Sequence, residues 1–177
     1  MSQRLYEKVC RLIQEWEPEE IYDVENEFRD DLLDFLDENL NSSDVSIKKE
    51  DGRGLCDIGI NRQIGIELKL DMVKKAEANR LVGQILDYID EYPTGIIILL
   101  LGDTEHNAFQ TVKDGIRKIQ AEDQIVRILR KELEDSDDDE RDDQDSQQSS
   151  QSSIGFFPDD IDKLYERQNE EAKRIFL

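Results

Sequence analysis

The sequence predicts an α/β fold with a mixed central β-sheet flanked by helices. Three observations carry that expectation. Residues 96–101 read IIILLL between Gly95 and Gly102, as a strand buried on both faces would. Residues 55–60 and 64–70 each alternate in character about the short connection Asn61-Arg62-Gln63, which marks a hairpin. Around them lie stretches with apolar residues three and four apart, the helical period. The order helix, three-strand meander, helix, strand, helix demands a sheet covered on both faces.

In chain order, Leu5, Val9, Leu12, Ile13 and Trp16 form one apolar stripe, so residues 2–16 are expected to be an amphipathic helix. Pro18 opens a second helix that ends near Leu40, before the break Asn41-Ser42-Ser43. Strands follow at about 44–49, 55–60 and 64–70, with Asp51-Gly52-Arg53-Gly54 as the first turn. A helix at 73–90 stops before Pro93, the buried strand occupies 95–101, and another helix runs from about 106 to 120. Residues 124–130, QIVRILR, suit either the end of that helix or a last edge strand, and periodicity does not decide between them. Residues 1–133 are thus expected to form one domain. Residues 134–157 have the composition of an acidic, disordered linker. Residues 158–177 read as a C-terminal amphipathic helix, able to dock on this domain, on a second copy in a homodimer, or on another protein.

Composition narrows the function. No stretch approaches the roughly 20 apolar residues of a membrane span, and the start MSQRLYEKVC lacks the apolar segment of a secretory signal. Only Cys10 and Cys56 are present, too few for a disulfide framework or a zinc set, so a cytoplasmic location is expected. The formal charge is −21 over 177 residues. Residues 1–133 alone hold 29 acidic and 18 basic side chains, a surplus that argues against broad non-specific binding of nucleic acid. Either a high-salt cytoplasm or a clustering of the cations about one site would reconcile such a charge with a nucleic-acid partner.

The hairpin holds the chemistry. In 64–70 the even positions are apolar and the odd ones are Gly65, Glu67 and Lys69; in 55–60 the even positions are Cys56, Ile58 and Ile60 and the odd ones include Asp57 and Gly59. Side chains alternate faces along a strand, so both strands are expected to bury one apolar face, Cys56 included, while glycines leave room for a ligand on the other. With a connection at 61–63, residues pair when their numbers sum to 124, and Asp57 faces Glu67. Two such carboxylates share a proton or bind a cation. Oxygen ligands without thiolate or imidazole suit Mg²⁺ or Mn²⁺. Lys69 lies on the same side, where an ammonium could orient or deprotonate a water or stabilise developing charge. In the second helix, Val24, Phe28, Leu32, Phe35 and Leu36 define the apolar stripe, and Glu25 falls within it. A carboxylate there is costly unless it is paired or metal-bound. Gln84 and Tyr88, four apart, share one face of the 73–90 helix, with Arg80 a turn earlier. His106 is the only histidine, which removes Ser-His and Cys-His catalysis, and no phosphate-binding glycine motif is present.

The arrangement Glu25, Asp57, Glu67-Leu68-Lys69 and Gln84-Ile-Leu-Asp-Tyr88 resembles the PD-(D/E)xK nuclease superfamily, which includes restriction endonucleases and Holliday-junction resolvases. The resemblance covers roughly residues 20–101, with Cys56 in place of the family's proline before Asp57. It implies a restriction-endonuclease-like core and Mg²⁺-dependent hydrolysis of phosphodiesters, with DNA as the expected substrate. Asp57 and Glu67 would match the metal ligands, Glu25 the helical acid that joins them, Lys69 the catalytic lysine, and Gln84 and Tyr88 a QxxxY element. Arg80, Lys48, Lys49, Arg53 and Arg62 are the candidate contacts to the nucleic acid. The alternative expectation is a catalytically silent nuclease-like module that binds a protein partner through its acidic surface and C-terminal helix.

Overall fold

A computed structural model describes residues 2–40, 44–52, 56–120 and 125–133. The expected linker, the C-terminal helix and Arg53 lie outside them. Helix α1 (Ser2–Glu15) and α2 (Glu25–Leu40) precede an antiparallel meander of β1 (Ile47–Asp51), β2 (Cys56–Ile60) and β3 (Ile64–Leu70). Then come α3 (Lys75–Tyr88), β4 (Gly95–Leu101), α4 (His106–Gln120) and β5 (Val126–Lys131). The sheet runs in the order β1-β2-β3-β4-β5, with β3, β4 and β5 parallel to one another. Residues 126–131 therefore form an edge strand, which resolves the ambiguity of QIVRILR. Among the described residues no helix is long and apolar enough to cross a membrane.

Each sheet face has its own core. On one, α1, α2 and Trp16 just after α1 bring Val9, Ile13, Phe28, Leu32, Leu36 and the indole onto Ile58, Ile60, Ile64, Ile66 and Leu68. On the other, α3 and α4 pack Leu81, Ile85, Tyr88 and Val112 against Ile96, Ile98 and Leu100. All seven residues of β4 are buried, which is why its sequence does not alternate. Each such aliphatic side chain contributes roughly 1.5–3 kcal/mol by leaving water. The two outer helices approach closely at Gly115, where a Cβ would come within 2.5 Å of Val82.

Several boundaries differ from expectation for identifiable reasons. Helix α2 begins at Glu25, not at Pro18, because Asp31 draws the preceding segment back over the helix. Its carboxylate accepts the Trp16 Nε1–H (2.8 Å), the Glu19 N–H (2.7 Å) and the Tyr22 hydroxyl (2.9 Å). Val24, expected on the apolar stripe, is 50% exposed as a result. Strand β1 starts at Ile47, not near residue 44, since Asn61 ties the segment before it to the hairpin. Asn61 accepts the Ser46 N–H at 2.7 Å and donates to the Asp44 carbonyl at 3.2 Å. Helix α3 starts at Lys75, two residues later than expected, where the Glu77 carboxylate reaches back to the Lys74 N–H at 3.2 Å.

Cys56 departs from the expected parity. It is buried, but among Tyr88, Tyr92 and Leu100 on the α3 face, opposite Ile58. The break coincides with Glu50 on the neighbouring strand, whose φ of 51° turns β1 locally left-handed. The glycines also serve packing. A Cβ on Gly65 would lie 2.8 Å from the Tyr92 ring, and one on Gly59 would lie 2.5 Å from Asp51 Oδ2. The ring and the Asp51 side chain therefore fill the room the two glycines leave.

Candidate active site

The register of the hairpin sums to 124, as Ile58↔Ile66, Gly59↔Gly65 and Ile60↔Ile64 show. The paired register ends at Ile58↔Ile66, short of Asp57 and Glu67; beyond it the Asp57 carboxylate accepts the Leu68 N–H at 2.8 Å. Glu67 is 2% exposed. Its Oε1 lies 3.0 Å from Lys69 Nζ, while Oε2 is buried without a hydrogen-bond partner. From α2, Glu25 reaches the same ammonium with Oε1 at 3.0 Å and accepts the Leu70 N–H with Oε2 at 3.1 Å. Thus three acids and the lysine, drawn from α2, β2 and β3, converge at the end of β3. Lys69 also donates to the Leu68 carbonyl.

A residue the sequence did not single out completes the electrostatics. Arg29, one turn after Glu25, is buried at 4% exposure, with Nη1 3.1 Å from Glu50 Oε1 and 4.0 Å from Asp57 Oδ1. Its signal was positional: residue 29 follows Phe28 and precedes Leu32 on the inward side of α2. A buried guanidinium is costly unless paired. Lys69 and Arg29 are the charges that offset Glu25, Glu67 and Asp57.

These neighbours perturb one another. Burial, and next the charge of Glu67, push the Asp57 carboxyl from an ordinary 3.8 to about 6. Burial works against the Lys69 ammonium, but Glu67, Glu25 and Asp57 together outweigh it and hold its pKa above the usual lysine value. Lys69 is therefore a charged donor at neutral pH. Burial and Glu67 raise the Tyr88 phenol, so it too keeps its proton. The Cys56 thiol is driven up by burial and by Glu67, which leaves it neutral and inert.

Tyr88 is 1% exposed on α3 and stacks edge-on with Tyr92, ring centroids 6.4 Å apart. Gln84, one turn earlier, has a buried Oε1 without a hydrogen-bond partner. Tyr92 donates to the Asp51 carbonyl at 3.0 Å and rests over Gly65, and this anchors the end of α3 against the hairpin. Arg80 is exposed on α3 and forms no ion pair among the described residues. Lys49 is ion-paired to Asp30 at 2.6 Å, whereas Lys48 and Arg62 line one concavity beside Asp51 and Gly59.

The donor set is oxygen only, and the partnerless Glu67 Oε2 is the feature a hard divalent cation would satisfy. Among the described residues, however, no three His, Cys, Asp or Glu side chains already form a cation cage. The Lys69 ammonium takes the place between Glu25 and Glu67 instead. No protein-family model, curated protein or solved structure matches the chain.

Proposed function

We propose that the chain is a divalent-cation-dependent nuclease of the PD-(D/E)xK type, with a restriction-endonuclease-like core, that hydrolyses DNA phosphodiester bonds. The observation that supports this most is the buried Glu67 carboxylate, with one oxygen on Lys69 and the other without a hydrogen-bond partner. Asp57 and Glu67 would hold Mg²⁺ or Mn²⁺, and Glu25 would join them on release from Lys69 and the Leu70 N–H. A cation bound there supplies charge neutralisation at the phosphate and acidifies a bound water.

The chain's own residues do the rest. Asp57, ionised above about pH 6, presents a carboxylate at neutral pH and a less competent acid below it. Lys69, kept protonated by its three acidic neighbours, directs positive charge at the oxygens of the reacting phosphate. That protonation favours charge stabilisation over a role as general base. Tyr88 remains a phenol and donates, while Gln84 offers a second polar group from the same helix face. Arg29, 4.0 Å from Asp57, adds positive charge beside it.

The test is cleavage of labelled single- and double-stranded DNA by the intact chain with Mg²⁺, with EDTA, and with Glu67→Ala. Cation-dependent cleavage by the wild type alone is expected. Equal cleavage by both proteins sinks the assignment. A second reading draws on the Lys69 bridge: a silent binding module would keep its acids neutralised internally in this way. It predicts no cleavage and no stabilisation by Mg²⁺.

A further inference from the structure

Beside the hairpin tip lies a concavity of about 240 Å³ lined by Ser46, Lys48, Asp51, Gly59, Asn61 and Arg62. Its volume falls below the roughly 300–1,000 Å³ of pockets for drug-sized ligands and suits a single small ring system. Asp51 is 8% exposed, and among the described residues no hydrogen bond or ion pair holds its carboxylate. The side chain lies directly over Gly59, whose missing Cβ makes the room for it. A largely buried carboxylate with no partner among the described residues calls for a ligand that donates hydrogen bonds.

Two cations border this acceptor. Lys48 is the ladder partner of Gly59, and neither it nor Arg62 forms an ion pair among the described residues. Arg62 sits at the hairpin tip with φ of 53°, a left-handed conformation that glycine adopts without strain. The turn itself gives no reason for an arginine there. Gly59 lies two residues from Asp57 along β2, about 7 Å of strand. A buried acceptor, two unpaired cations and a short distance to the cutting site together fit one nucleotide next to the scissile phosphate.

We infer that this concavity is a nucleotide subsite that takes a guanine of single-stranded DNA, with its phosphate between Lys48 and Arg62. Among the DNA bases guanine alone offers two adjacent N–H donors, N1–H and N2–H, to match the two oxygens of Asp51. Both belong to the pairing edge and are free only in an unpaired strand. The inference rests on the nuclease reading for its substrate, but binding can be tested without cleavage.

Fluorescence anisotropy of the intact chain in EDTA, with thymidine heptanucleotides carrying a single central dG, dA or dC, is the direct experiment. The wild type is expected to favour the dG strand by at least about fivefold, as a bidentate contact would give. Asp51→Asn loses that preference, because an amide supplies one donor and one acceptor. Lys48→Gln and Arg62→Gly weaken all strands alike and reduce the salt slope by about 0.7 for each phosphate no longer neutralised. Arg62→Gly also suits the left-handed turn, so its weaker binding is not a folding defect. No binding, no dG preference in the wild type, retention of it in Asp51→Asn, or uniformly tighter binding by Asp51→Asn each overturns the subsite. Cleavage of the same strands in Mg²⁺ separates the two readings: cutting without dG preference removes the subsite and leaves the nuclease. Preferential binding without cutting does the reverse.

Discussion

Replacing Asp57 by Asn should remove a pH dependence of stability that the wild type carries. The Asp57 side chain is 14% exposed, and burial followed by the Glu67 charge raises its carboxyl from 3.8 to about 6. A raised folded-state pKa means that the native state holds this proton more tightly than the unfolded chain. The stability so contributed is full below about pH 3.8 and is lost as pH rises through about 6. A rise of about two pH units at 1.36 kcal/mol each makes the loss about 3 kcal/mol, shared by the coupled Asp57–Glu67 pair. Asparagine keeps an oxygen for the Leu68 N–H but cannot ionise. Urea denaturation without divalent cation should therefore show Asp57→Asn gaining about 3 kcal/mol on the wild type between roughly pH 4 and pH 7.5. Comparing the two proteins cancels the titration of the many other carboxylates. Excess Mg²⁺ should then restore the wild type by about 2.7 kcal/mol at a hundredfold Kd, and leave the variant nearly unmoved. A difference between the two proteins that stays constant with pH would refute the electrostatic account of this hairpin.

Three further outcomes follow from named contacts. Lys69→Met leaves Glu67 buried and uncompensated, so it should cost about 3 kcal/mol at neutral pH in urea denaturation and abolish cleavage; an unchanged midpoint would show that the ammonium does not neutralise this site. Arg29→Met withdraws a positive charge 4.0 Å from Asp57, so the acid limb of the cleavage profile should move to higher pH, while a limb that stays put would remove Arg29 from the site. Asp31→Ala releases Trp16, the Glu19 N–H and Tyr22 together; about 2 kcal/mol of stability should be lost, with a change in the fluorescence of the single tryptophan, and an unaltered spectrum would contradict the latch.

The parts of this molecule that are legible in its sequence obey short-range periodicity. Alternation in IGIELKL separates the two faces of β3, and the short connection at 61–63 sets the hairpin register as far as Ile58↔Ile66. The inward placement of Glu25 follows from the helical wheel, and Gln84 and Tyr88 from their spacing of four. What escapes depends on contacts between distant segments. Nothing near Asp31 announces that it binds Trp16, Glu19 and Tyr22, so the true start of α2 is hidden. Arg29 gives no sign of its role because a cation beside an apolar stripe ordinarily reaches water, whereas here the acids of β1 and β2 hold it in. Cys56 keeps its expected burial but changes face, since parity counting assumes a regular ladder and Glu50 interrupts this one. The glycines that suggest ligand space instead seat Tyr92 and Asp51.

If the opposed acids of the hairpin form a cation site, crystals of the full chain soaked in Mn²⁺ should show it most directly through the anomalous signal. The expected result is a peak bridging the carboxylates of Asp57 and Glu67, at roughly the 2.0–2.2 Å of hard oxygen ligands, with Glu67 Oε2 among its contacts. A map without that peak at saturating Mn²⁺, with Lys69 Nζ still lodged between Glu25 and Glu67, would contradict it.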